Sequence, residues 1–171
     1  MKIQKTLALG AMLAGALTLT AAGCKNPAKG KTQAKTGEAK PEDQKPLKGN
    51  KVESIALTSS NTKLSWKGSK VTGSHAGNFG KFTGKIEAAD SDPLKARIHF
   101  TIDMNSVTSD HPKLTGHLKS KDFFHVKKFP QAKFVSTAIA KGGAKGASHT
   151  ITGNLTLHGV TKSISFPANV K

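Results

Sequence analysis

Tyrosine is absent from the 171 residues, and tryptophan and cysteine occur once each. A single cysteine excludes an intramolecular disulfide and any zinc site built on cysteines. The shortage of Tyr and Trp argues against an outer-membrane barrel, whose two interfaces are girdled by aromatic rings. Acids are scarce too: 10 stand against 27 Lys and Arg, a formal net charge of +17. Hydrophobic residues make up 36 %, below the roughly 45–50 % of globular domains, and the deficit is concentrated in one stretch. No apolar run reaches the roughly 20 residues of a transmembrane helix. The chain also lacks a G-x-S-x-G elbow, a glycine-rich phosphate loop and an H-E-x-x-H helix. These absences favour binding over turnover.

What is present falls into three segments. Residues 1–24 read MKIQKTLALGAMLAGALTLTAAGC. Lys2 and Lys5 form a charged start, Leu7 to Leu19 an apolar stretch, and Ala21, Ala22 and Gly23 a run of small residues. That is the pattern of a secretory signal peptide, here residues 1–23. The stretch from Thr20 to the lone Cys24 resembles a bacterial lipobox, with Ala21 where Leu is usual. Lipidation of Cys24 would make it the mature N-terminus, held at a membrane by two or three acyl chains. The other reading is an ordinary cleavage site with a free thiol. By the sorting rule of enteric bacteria, Lys25 after the cysteine points to the outer membrane, so the expected place is the cell envelope, facing the periplasm.

Residues 24–51 follow. Between 25 and 51 stand eight Lys, three acids, three Pro and three Gly, with Leu47 almost alone as an aliphatic residue. Such a stretch buries too little apolar surface to offset the entropy of ordering. It is expected to be a flexible tether with a reach of roughly 26–31 Å as a coil.

Residues 52–171 carry 17 basic and 7 acidic residues, a net +10. Apolar residues alternate with polar ones: Leu64 and Trp66; Ala96, Ile98, Phe100, Ile102 and Met104; Ile151, Leu155 and Leu157; Ile164, Phe166 and Val170. Period two with one apolar face marks half-buried antiparallel strands. Leu157 and Val160 flank His158-Gly159 as in a tight hairpin. Residues 113–120 (KLTGHLKS) differ, with Leu114 and Leu118 at helical spacing after Pro112. The expectation is an all-β domain, closed or nearly closed, with one short helix at one end.

Six blocks in fixed order resemble the YceI-like family: WKGSK at 66–70, GSHAG at 73–77, IDMNSV at 102–107, GHLKSKDFF at 116–124, FPQAKF at 129–134 and GNLTLHGVTK at 153–162. The resemblance covers about residues 55 to 170. His125 departs from the pattern, where a small or acidic residue is expected. The resemblance implies an eight-stranded antiparallel, lipocalin-like β-barrel around an elongated apolar cavity. It implies a ligand with a long apolar chain: a polyisoprenoid, an isoprenoid quinone or a fatty-acyl compound. No cofactor or metal is implied.

Phe79, Phe82, Phe100, Phe123, Phe124 and Phe134 either line that cavity or fill an ordinary core, and Leu118 belongs to the helix face beside them. Trp66, whose indole N–H needs a partner when buried, either packs or stands beside a ligand head group. Lys70, His75, Asp110, His117 and Lys119 are the polar residues in or next to the six blocks. They either gather at the mouth around a head group or, for Asp110 and His117, hold the helix to backbone. His75 with His117 is the most plausible pair for a metal because both lie in the blocks, but a metal site needs convergent ligands, usually with a carboxylate or thiol, and no paired-His helix motif is present.

Two functions fit. One is an envelope-anchored carrier that holds an amphiphile by its apolar tail. The alternative is an envelope interaction or stress protein whose basic surface binds acidic polymers or lipids. Exported from the cytoplasm, neither would meet nucleic acid. The oligomeric state is open at this point.

Overall fold

The computed structural model describes residues 34–42, 46–70 and 73–170, with only the backbone of Lys70. The export signal, Cys24 and residues 25–33 lie outside the described residues.

In chain order the strands are β1 (Lys35–Gly37), β2 (Val52–Thr58), β3 (Leu64–Lys70), β4 (Gly73–Phe79), β5 (Phe82–Ala89), β6 (Ala96–Asp103), β7 (Val107–Ser109), β8 (Gln131–Lys141), β9 (His149–Leu157) and β10 (Val160–Ala168). Helix α1 (Pro112–Lys119) stands between β7 and β8. The all-β class with one short helix holds. All pairings are antiparallel. The His158-Gly159 hairpin forms with both residues at positive φ, 52° and 76°, and pairs Leu157 with Val160. Such φ values belong to the two-residue turns that match strand twist.

The ladder differs from the expected single ring of eight strands. Among the described residues there are two sheets, ordered β1-β10-β9-β8-β6-β5-β2 and β3-β4-β7. The chain passes between the sheets four times, after β2, β4, β6 and β7, and two of these crossings are tight corners. One is Gly80-Lys81 between β4 and β5, and the other is the 3-10 turn Met104–Ser106 between β6 and β7. The corners are bonded to each other. Ser106 O accepts from Gly80 N–H at 3.2 Å and Lys81 O accepts from Asp103 N–H at 3.0 Å. Ser106 Oγ accepts from Lys81 N–H at 3.0 Å. The Asp103 carboxylate accepts from Asn105 N–H at 2.9 Å, which starts the turn. Its role is turn chemistry. Corners of this kind let strands leave one sheet for another, and they interrupt a ring that alternation alone would suggest is continuous.

The second difference lies in the tether. β1 extends the β10 edge, with Lys35 opposite Ser165 and Gly37 opposite Ser163. The chain then crosses the outer face of β9, where Asn154 bonds the backbone of Lys40. Residues 35–42 are therefore docked, not a free coil. Backbone pairing needs no apolar side chain, so composition did not reveal it.

Inside, Met104, Val126 and Ala132 are buried together, with Phe79, Ile102, Phe124 and Leu157 against them. Phe134 lies over Gly153 of the neighbouring strand, where any Cβ would collide with the ring. Phe82 stacks on Phe100 with ring centroids 5.0 Å apart. α1 begins at Pro112, whose missing N–H costs a first-turn position nothing, and buries Leu118. Among the described residues no helix is long and apolar enough to cross a membrane.

Candidate functional site

A cavity of about 330 Å3 lies between the small sheet, α1 and the end of the large sheet where β6 and β9 finish. Its walls are almost wholly hydrocarbon. From the small sheet and helix come Trp66, Phe79 and Leu118; from the connection after α1 come Phe123 and Phe124. The large sheet gives Ile102, Ala132, Leu155 and Leu157, with Met104 from the corner. The volume is at the lower end of small-molecule pockets, with room for on the order of ten water-sized groups.

Trp66 is set by its neighbour. Register pairs it with Gly77, and a Cβ there would stand 2.7 Å from the indole ring. The absent side chain lets the ring lie across β4. Its Nε1–H donates to Thr108 O at 3.1 Å. The indole's polar atom is thus used within the protein, and Trp66 offers the pocket a hydrocarbon face, not a head-group donor.

Phe123 is the exposed member, at 49 %. It meets Phe124 edge-on with centroids 4.6 Å apart and stands 6.2 Å from the His117 ring. Backbone bonds hold this connection. Leu118 O accepts from Phe124 N–H at 3.0 Å and Ser120 O from His125 N–H at 2.8 Å. His125 sits at φ +46°, a left-handed position that His adopts more readily than most residues. Its departure from the family pattern is accommodated there.

Of the residues expected at the site, Trp66, Phe79, Leu118, Phe123 and Phe124 converge on the cavity. Phe82, Phe100 and Phe134 do not. Phe82 and Phe100 stack on each other, and Phe134 packs on Phe166 at 5.7 Å. Gly84 and Gly153 in adjacent strands leave room for the Phe100 and Phe134 rings, and Phe82 is buried against Phe100. Met104, Ala132, Ile102, Leu155 and Leu157 also line the cavity, although none is a candidate site residue by sequence. Four of these five stood on recognised apolar faces; strand period gives the face but not how far along the strand the cavity lies.

The polar candidates do not form one cluster at the mouth. His75 Nδ1 and Asp110 Oδ1 are 2.9 Å apart, both groups about half exposed. Asp110 Oδ2 accepts from Ala76 N–H at 3.2 Å, and Asp110 N–H donates to Ala76 O at 2.9 Å. The His75 side chain, followed by the Ala76 amide, holds the Asp110 carboxyl below the usual carboxylate range. Asp110 thus ties β4 to the chain entering α1, the structural alternative of the two. His117 instead accepts at its carbonyl from Ser120 N–H and Oγ–H. Lys119 is half-buried at the end of α1. The Lys70 side chain lies outside the described residues. Lys67 is the charged residue that borders the cavity, and strand alternation sends its side chain to the face of β3 opposite Trp66. Among the described residues no three or more His, Cys, Asp or Glu converge as metal ligands would.

Residues 54–171 match the YceI-like domain. Protein YceI of Salmonella arizonae is 40 % identical over 94 residues, 55 % of this chain and 48 % of that protein. A UPF0312 protein of Photorhabdus laumondii is 37 % identical over 94 residues, 55 % of this chain and 47 % of that protein. The chain spans about half the length of the curated relatives it matches. Among solved structures, BcnA of Burkholderia cenocepacia superposes with a TM-score of 0.50 at 27 % identity, covering 70 % of this chain and 68 % of that one.

Proposed function

Because this chain belongs to the YceI-like family, we propose that it is a non-enzymatic carrier of the bacterial envelope that holds an amphiphile by its apolar chain between the two sheets. The observation that supports this is the cavity itself: about 330 Å3, walled by Trp66, Phe79, Met104, Leu118, Phe124 and Leu157. Burying one CH₂ stabilises a complex by roughly 0.8 kcal/mol. Ten buried carbons give roughly 8 kcal/mol, the order of a micromolar Kd before the cost of immobilising the ligand. A chain longer than the cavity leaves through the opening beside Phe123, where the lysines of residues 112–130 offer charge to an anionic or oxygen-bearing head. Polyisoprenoids, isoprenoid quinones and fatty-acyl compounds share this chemistry. Cys24, acylated, would keep the carrier at a membrane facing the periplasm.

The test is to purify the chain from a bacterial envelope fraction, extract it with organic solvent and examine the extract by mass spectrometry. The expected result is a prenyl or acyl species at about one per protein. A domain that arrives empty and takes up no quinone or prenyl lipid at high salt would overturn the carrier reading. The net +10 of residues 52–171 supports the second reading, a basic surface binding acidic polymers. High salt separates the two, since it screens surface charge and leaves apolar burial intact.

A further inference from the structure

We infer that the α1 end of the domain docks on an anionic phospholipid bilayer, with Phe123 as the inserted side chain. β5 and β8 begin at this end, and β6 and β9 finish there. The connection after α1 is fastened to the same end through Met104 N–H, which donates to Pro130 O at 2.9 Å. The apolar cavity opens here beside Phe123, which is 49 % exposed.

The charge around that opening is one-sided. Residues 112–130 contain five lysines and one acid, Asp122. Lys121, Lys127 and Lys128 are exposed, as is Lys67 on β3. The lysine–carboxylate pairs found among the described residues lie elsewhere: Lys51–Glu53, Lys85–Glu87, Lys95–Asp90 and Lys162–Glu38. Lys128 also lies over the Phe129 ring at 5.3 Å, a contact that does not neutralise it, so the lysines of this end are left unneutralised by these carboxylate pairs.

An exposed aromatic ring at an apolar opening, surrounded by ammonium groups on flexible stems, matches a surface with mobile anions over hydrocarbon. An acidic protein or polymer would satisfy the lysines and leave Phe123 without a partner. The docked pose also lets an acyl or prenyl chain pass from bilayer to cavity without crossing water. That use rests on the carrier reading, whereas the docking itself is measured with no cavity ligand.

The experiment sediments the chain from Lys25 onward, which lacks the export signal and its cysteine, with vesicles of phosphatidylcholine and phosphatidylglycerol in equal parts. Each lysine near an anionic surface is worth about fivefold in partitioning. Lys121→Gln with Lys127→Gln is expected to weaken binding by about 25-fold, and Phe123→Ser by severalfold. Lys141→Gln with Lys145→Gln removes the same charge at the opposite end and is expected to change binding less than twofold. Equal losses from the two lysine pairs would show unoriented adsorption and overturn the proposal. So would the absence of binding to the mixed vesicles. Circular dichroism checks the fold, and should Phe123→Ser unfold the domain, the two lysine pairs still decide. A chain that takes up prenyl lipid but ignores the vesicles overturns docking and spares the carrier reading. Oriented binding by a chain that takes up nothing supports docking and removes the carrier reading.

Discussion

Asn154 holds Lys40 by both polar atoms of its side-chain amide. Its Oδ1 accepts from Lys40 N–H at 2.9 Å and its Nδ2–H donates to Lys40 O at 2.6 Å. An amide that bonds N–H and C=O of one residue acts as a further peptide unit of a sheet. The contact spans 114 positions of sequence and leaves Asn154 only 4 % exposed. A second bond from Nδ2 to Glu42 Oε1 at 3.3 Å, and the Lys162–Glu38 pair, extend the hold along residues 38–42.

Asn154→Ala should release the strap while leaving the sheets intact. Three hydrogen bonds are lost, two to Lys40 and one to Glu42, a change of about 1–3 kcal/mol. Hydrogen exchange followed by mass spectrometry is the direct measurement. Residues 35–42 are expected to lose protection, and β8 and β9 to keep theirs. Unchanged protection over 35–42 would mean that the β1–β10 pairing alone carries the strap. With residues 35–42 docked on the sheet, fewer residues separate Cys24 from the domain than composition suggests.

Asp110 gives a pH-dependent signature. Its carboxyl is held below the usual carboxylate range by His75 first and the Ala76 amide second. A carboxyl depressed in the folded state contributes stability above its unfolded pKa of about 3.9, and that contribution disappears as pH falls through the lower folded value. In His75→Ala the Asp110 midpoint should therefore rise towards the ordinary range, read by carbon NMR of the side-chain carboxyl. Asp110→Asn should narrow the fall in thermal stability seen on acidification below about pH 4. A midpoint that ignores His75 would assign the shift to the amide alone.

Much of the domain was legible because its signals are local. Alternation in residues 96–104 and 151–157 fixed the inner faces of β6 and β9, and His158-Gly159 has the chemistry of the turn it makes. Pro112 and the Leu114/Leu118 spacing located α1. The two corners were less legible, since Gly80-Lys81 and Met104–Ser106 become corners only through bonds to each other. The division of the phenylalanines was hidden for a related reason. Phe134 belongs to the core because Gly153 leaves space for its ring, a relation across two strands. The strap was hidden because its bonds are to backbone, which any sequence can supply.

Gly77→Ala should disturb Trp66 specifically. The new methyl would stand 2.7 Å from the indole and closer still to Thr108 O. Forcing a methyl into such a contact costs typically about 1–3 kcal/mol. Trp66 is the sole tryptophan, so its emission reports this contact without interference. The variant is expected to show shifted emission, a lower denaturant midpoint and weaker uptake of an apolar probe. Wild-type emission with normal uptake would mean that the ring is not held against β4.

Ala132→Leu and Phe134→Leu separate cavity wall from core. Ala132 lines the cavity and is almost fully buried. Leucine there directs three added carbons into empty space, so stability should change by less than about 1.5 kcal/mol. The volume they take is a substantial share of about 330 Å3, and uptake of a prenyl or acyl probe should fall at least tenfold. Phe134 is two residues away on the same face of β8, yet it packs on Phe166 and over Gly153 instead of lining the cavity. Phe134→Leu should lower stability by roughly 1–3 kcal/mol through lost packing while probe affinity, measured well below the melting temperature, stays within about threefold. Probe titration and denaturant unfolding on both variants give four numbers. If Phe134→Leu loses affinity and Ala132→Leu does not, the ligand space lies deeper between the sheets than the cavity beside Trp66, and the wall assigned to Phe123, Phe124 and Leu157 is wrong.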